Sequence, residues 1–235
     1  MAQFLEGISS VSPLVFTAEH PVQTITREGR LRSDERVMKD LARLEPGDVG
    51  WGYIPAREPF FEMLTGSNWV TYFIYRDPRD KIISHIYFAM DIHTEHAMRD
   101  YYRSLPSMEA RISATIEGVP GLIGSIVEGY ASHRGWLSSP DVVKIRFEEL
   151  IQHREANLET MLAPLYGWVL SAHIRYRDLV GHLAEEMSPE HSRTYRSGRA
   201  GTWREHFTLR NIDQFKRVAG DLLIEMGYEQ DDSWS

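Results

Sequence analysis

The chain contains no cysteine, which excludes a disulfide framework, a thiol nucleophile and any zinc–thiolate centre. No apolar run approaches the ~18 residues that would cross a bilayer. Basic charge is scarce: 26 Lys and Arg stand against 34 Asp and Glu, a formal net charge of −8. A general nucleic-acid binder needs the opposite excess. Any anion site here must be a local basic pocket in an acidic body. Neither a Gly-x-Ser-x-Gly elbow nor a Gly-x-x-x-x-Gly-Lys-Ser/Thr loop occurs, which argues against a hydrolase of that type and a Walker-type NTPase. His173, His182, His191 and His206 share no ligand spacing with nearby carboxylates, so no metal site is expected. The first residues, Met1-Ala-Gln-Phe-Leu-Glu-Gly-Ile, lack the basic start and apolar core of a signal peptide. A soluble, cytoplasmic protein is expected, with neither nucleic acid nor membrane as partner and its oligomeric state left open.

What is present is ordinary in amount, 42% hydrophobic and 26% charged over 235 residues, and suits one sizeable domain. Apolar runs at 48–54, 70–75 and 141–147 read as buried strands, with a weaker one at 13–16. Their near-continuous apolarity suits a parallel sheet covered on both faces. Helical patterns cover 33–44, 58–64, 79–90, 121–137, 148–166 and 211–226, the first opening at Ser33 as N-cap. Strands alternating with helices predict an α/β fold. Residues 94–120 are polar and weakly periodic, an expected surface insertion at a substrate mouth. Residues 186–208 read as a long ordered loop, and the acidic residues 229–235 as a mobile tail.

Two segments carry the chemistry. Tyr75-Arg76-Asp77-Pro78-Arg79-Asp80-Lys81-Ile82-Ile83-Ser84-His85 ends a strand on an arginine, turns at a proline and opens a helix bearing an inward serine. Arg76 leaves the strand's carboxyl end, where ligands collect in open α/β sheets. Arg196-Ser197-Gly198-Arg199-Ala200-Gly201-Thr202-Trp203-Arg204-Glu205-His206-Phe207-Thr208 is a glycine-broken basic loop with an aromatic anchor. Guanidinium forks, a hydroxyl and a helix N-terminus are what a phosphate monoester asks for. The plain alternative for the first segment is a solvated turn holding an Arg–Asp pair. Trp136, Trp168 and Trp203 are expected to be core or loop anchors, and Glu148-Glu149 to be helix-start acids.

These segments resemble the sulfotransferases that use 3'-phosphoadenosine 5'-phosphosulfate (PAPS). In that family a strand-end Arg and a Ser eight residues on bind the 3'-phosphate, positions held here by Arg76 and Ser84. The family's Arg-Lys-Gly loop, running through Gly-x-Trp to Phe-Thr, is matched by Arg196-Ser197-Gly198 through Gly201-Thr202-Trp203 to Phe207-Thr208, with Ser197 for Lys. Phe147-Glu148-Glu149-Leu150 resembles the family's Tyr-Glu-Asp-Leu. The resemblance implies a single α/β domain over 1–235: a parallel sheet of about four strands flanked by helices, the P-loop-NTPase-like sulfotransferase fold. It implies transfer of a sulfuryl group from PAPS to a hydroxyl or amine of a small-molecule acceptor, without a metal. Arg76, Ser84, Arg196, Ser197, Gly198, Arg199, Phe147 and Trp203 would bind the co-substrate. Tyr53 stands where the family carries its catalytic His, either as the base or as an aromatic wall of the acceptor pocket, and His20, His85 and His93 are candidate replacement bases. The family's opening strand and phosphosulfate loop have no counterpart, so the chain is expected to be N-terminally truncated relative to the family. The alternative is a weak or inactive homologue binding only the 3'-phosphoadenosine portion.

Overall fold

A computed structural model describes residues 19–26, 31–167, 175–186 and 199–235. The expected strand at 13–16 and the residues Arg196, Ser197 and Gly198 lie outside them. The described residues gather into two compact units, one from 19–74, 135–145 and 149–186, the other from 75–134, 146–148 and 199–235.

The first unit holds the strands. β1 (Glu19–Pro21) pairs in parallel with β2 (Val49–Trp51), setting Glu19 opposite Val49 and Pro21 opposite Trp51. Gly52 follows β2 where a Cβ would lie 2.2 Å from the Val22 carbonyl oxygen, so only glycine admits that approach. β3 (Thr71–Tyr75) pairs with β4 (Val142–Arg146). The described strands thus number four, bonded in two pairs. β1 is the strand that the apolar-run criterion passed over; it is short and carries a proline.

β4 is covered on both faces. Val142 and Ile145 are three apart and so point to opposite sides. Val142 joins a cluster with Val22, Val37, Leu41, Phe60, Leu64 and Trp136. Ile145 joins a second, with Leu158, Met161, Leu162, Leu179 and Leu183 among its members. The helices supplying these side chains are α1 (Asp34–Leu41), α2 (Phe60–Thr65), α7 (Gly135–Ser138), α8 (Phe147–Gln152), α9 (Arg154–Leu162) and α10 (Tyr176–Glu186). Each fully buried Leu or Ile contributes roughly 1.5–3 kcal/mol, and this double layer explains the unbroken apolar reading of the strand.

The second unit is helical. α3 (Pro78–Tyr87) buries Ile82, Ile83 and Ile86 and runs into a wider turn over Phe88–Ile92. Residues 94–120, expected to be a surface insertion, form α4 (Arg99–Ser104) and α5 (Met108–Glu117), which bring Met98, Tyr102, Ile112 and Ile116 wholly into the core. Their apolar positions are few but keep helical spacing, and the charged remainder faces out. Ser107 caps α5 through the Ala110 N–H at 3.2 Å. The single helix expected over 121–137 is instead α6 (Ile126–Ala131) and α7 (Gly135–Ser138). Gly118 and Gly121, at φ +82° and +77°, hold an open turn ahead of the Ser125–Glu128 capping box. α11 (Leu209–Glu225) opens on a capping box between Thr208 and Asn211 and packs Ile212, Phe215, Leu222 and Leu223 inward. No described helix is long and apolar enough to cross a membrane.

Candidate anion-binding site

Tyr75 and Arg146 end the paired strands β3 and β4, with the Arg146 guanidinium 5.8 Å from the Tyr75 ring. Arg76 and Phe147 follow them in the chain, so the two strand ends deliver both residues to one place. The Arg76 guanidinium lies over the Phe147 ring at 4.7 Å. Its Nη2 donates to the Arg199 carbonyl at 3.3 Å, joining the first basic segment to the second. Its Nε is buried and has no hydrogen-bond partner among the described residues. Carboxylates stand just beyond hydrogen-bond range: Asp80 Oδ2 at 3.7 Å from Nη2 and Glu148 Oε1 at 4.0 Å from Nε. Tyr130 donates to the Arg76 carbonyl at 3.1 Å.

Glu148, expected to be an ordinary helix-start acid, is a hub. One oxygen accepts from the Asp77 N–H at 3.0 Å, the other from the Tyr228 hydroxyl at 2.8 Å. Burial, then the Glu148 charge, drives the Tyr228 phenol far up from its ordinary range, so it stays a donor.

The Arg–Asp pair of the first segment exists, but it is buried rather than solvated. Arg79 is 2% exposed and meets Asp77 at 2.7 Å. Its Nη1 also forms an ion pair with Glu229 at 2.6 Å. The guanidinium sits 4.1 Å from the Trp203 ring and 4.7 Å from Trp234. Residues 229–235, expected to be mobile, are therefore docked. Glu229 pairs with Arg79, and Trp234 is buried edge-on to Trp203 and Phe215. The acidic composition suggested fraying; one indole and one ion pair decide otherwise.

Asp77 also caps α3, accepting from the Arg79 N–H at 2.9 Å. Asp80, fully buried, accepts from Gly201 N–H at 2.7 Å, Trp203 N–H at 2.8 Å and Thr202 Oγ1 at 3.0 Å. Trp203 is buried within the helical turn Thr202–Glu205, as a loop anchor should be. Arg199 is exposed and pairs with Glu205 at 3.0 Å. Ser84 is exposed rather than inward. The inward positions of α3 are the isoleucines at 82, 83 and 86, and Ser84 falls on the opposite side of that stripe.

Tyr53 belongs to the first unit, just beyond β2, and is 78% exposed. His20 lies on β1. His85 packs among His96, at 5.0 Å between rings, and Tyr102, at 6.0 Å. Burial, reinforced by His96 and Lys81, lowers its pKa from 6.5 to about 4. His93 stacks near Phe88 and His96. No group of His and acidic residues among those described has the makings of a metal site.

Sheet, flanking helices and a basic strand end together define the sulfotransferase fold. Mouse sulfotransferase SULT7A1, solved with PAP, superposes with a TM-score of 0.62 over 97% of this chain and 80% of its own, at 14% identity. Retinol dehydratase, solved with androsterone and the inactive cofactor PAP, superposes with a TM-score of 0.53 at 16% identity, over 80% of this chain and 57% of its own. No family model matches the chain, and no curated protein does.

Proposed function

We propose that this protein is a sulfotransferase that takes a sulfuryl group from PAPS and passes it to a hydroxyl or amine of a small molecule. The observation that carries the reading is Arg76: a guanidinium over the Phe147 ring, its buried Nε–H without a hydrogen-bond partner among the described residues, tied by Nη2 to the Arg199 carbonyl of the second basic segment. A buried donor without a partner costs about 1–3 kcal/mol, and a phosphate oxygen would remove that cost. The exposed hydroxyl of Ser84, Arg196, Ser197, Gly198 and the Arg199 side chain are the further donors assigned to the 3'-phosphate. Trp203 holds their loop and Phe147 supplies an aromatic face. Two neighbours of the same fold, solved with PAP, support the choice of nucleotide.

PAPS supplies the activated sulfuryl group. The chain's own part is to bind the nucleotide, align the acceptor and receive its proton, so rate comes mainly from positioning and charge. We assign proton acceptance to Tyr53 acting as its phenolate, the form a tyrosine takes as pH rises towards about 10, so turnover should climb with pH. His85 stays neutral down to about pH 4, and that low basicity makes it a weak proton acceptor.

A second reading is favoured by one observation. Among the described residues, the backbone donors best placed to grip an anion are filled from within, the start of α3 by Asp77 and the 201–203 turn by Asp80. On that reading the chain binds the 3'-phosphoadenosine portion without chemistry. Calorimetry with adenosine 3',5'-bisphosphate tests the site: wild type should bind at least about tenfold more tightly than Arg76→Ala, and equal affinities sink the assignment. A turnover assay with PAPS and a panel of phenols, alcohols and amines separates the two readings. Binding without turnover leaves the second. If turnover is found, Tyr53→Phe should lower it about a hundredfold with nucleotide affinity unchanged.

A further inference from the structure

We propose that Asp80 is a positioning residue for the nucleotide: a built-in anion that shapes the second basic loop before any ligand arrives. The proposal rests on the 3'-phosphate reading of Arg76.

Two main-chain N–H groups and a hydroxyl, from the consecutive residues Gly201, Thr202 and Trp203, converge on one buried carboxylate at 2.7–3.0 Å. Successive N–H groups gathered in this way form an anion nest of the kind that elsewhere holds a phosphate. Here the anion belongs to the first turn of α3. Gly201, at φ +75°, takes the left-handed conformation that lets its N–H and that of Trp203 point the same way. Two consequences follow. The nest donors are spent, so a bound phosphate must be met by side chains. The carbonyl of Arg199, two residues before the nest, is also fixed, and it is the one that receives Arg76 Nη2. Asp80 therefore couples the two basic segments, 121 positions apart at the Gly201 bond, into one half-site.

A second effect opposes this. The Asp80 charge lies 3.7 Å from Arg76 Nη2 and repels an incoming phosphate. The anchoring consists of three charge-assisted bonds to a fully buried group. The repulsion acts across a longer gap on a guanidinium that is 24% exposed, where solvent screens it. Anchoring prevails, which sets the sign of the test.

The full-length chain is titrated calorimetrically with adenosine 3',5'-bisphosphate and with adenosine 5'-monophosphate at fixed salt, and urea unfolding is followed in parallel. Wild type should prefer the bisphosphate. Asp80→Asn should lose roughly tenfold or more of that preference, while 5'-monophosphate affinity stays within about twofold. Should Asp80→Asn not fold, Thr202→Val keeps the carboxylate and both backbone bonds and should lose about threefold. A folded Asp80→Asn with equal or stronger preference would make Asp80 only a charge partner of Arg76 and overturn the proposal. Equal weakening towards both nucleotides would reduce it to general stability and overturn it as well. Wild type without any preference would instead remove the half-site reading beneath it.

Discussion

Arg76 and Arg79 stand three positions apart in one basic turn, and their replacement should separate stability from binding. Arg79 is 2% exposed, paired with Asp77 and Glu229 at 2.7 and 2.6 Å, and faced by two indoles. Arg79→Ala strands two carboxylates. Breaking a buried pair by removing one partner costs about 3–5 kcal/mol. Loss of a desolvated cation–π contact adds up to about 2 kcal/mol per ring, though the terms overlap because both indoles also pack on each other. A net loss of about 4–5 kcal/mol is expected, a large share of the ~5–15 kcal/mol that holds a domain together. Arg79→Lys keeps the charge but not the planar fork, and should cost about 2–3 kcal/mol. Arg76→Ala removes one 3.3 Å hydrogen bond and two loose ion pairs, a loss of about 1–2 kcal/mol. Urea unfolding of wild type and the three variants, with m-values compared, measures all four. Arg79→Ala costing under about 1 kcal/mol, or less than Arg76→Ala, would refute the reasoning.

Two further outcomes are expected. His85 is held at about 4 in the folded chain against 6.5 in the unfolded one, so the unfolded chain takes up its proton first. The protein should be at full stability above pH 6.5 and lose about 3 kcal/mol as pH falls towards 4; His85→Leu should flatten that part of a pH–stability profile, and an unchanged slope would count against the burial argument. Trp234→Ala empties a buried site against Trp203, Phe215 and Arg79 and should cost about 3–5 kcal/mol in urea unfolding, whereas a frayed segment would show no change.

Much of the scaffold could be read along the chain. The runs at 70–75 and 141–147 became strands because their apolar residues serve both faces of β4 and its neighbour, and a one-dimensional pattern records that directly. α11 was legible for the same reason, its apolar positions falling at helical spacing. Residues 94–120 were misread because α4 and α5 bury only a few residues each, and a sparse stripe is hard to tell from a surface loop. Ser84 was placed inward by distance along the helix, when the isoleucine stripe at 82, 83 and 86 already marked the inner face.

The site divides in the same way. The sequence by itself determined that Arg76 follows a strand, that an aromatic follows the partner strand at Phe147, and that a second basic, glycine-broken segment exists. Those are properties of neighbouring residues, set by propensity and turn chemistry. Only the tertiary structure decided which charges serve a ligand and which serve the fold. Arg79, Asp77, Asp80 and Glu148 look like the punctuation of any polar turn. Their roles come from partners 71 to 150 positions away, which bury them, and a buried charge must find its counterpart within the protein.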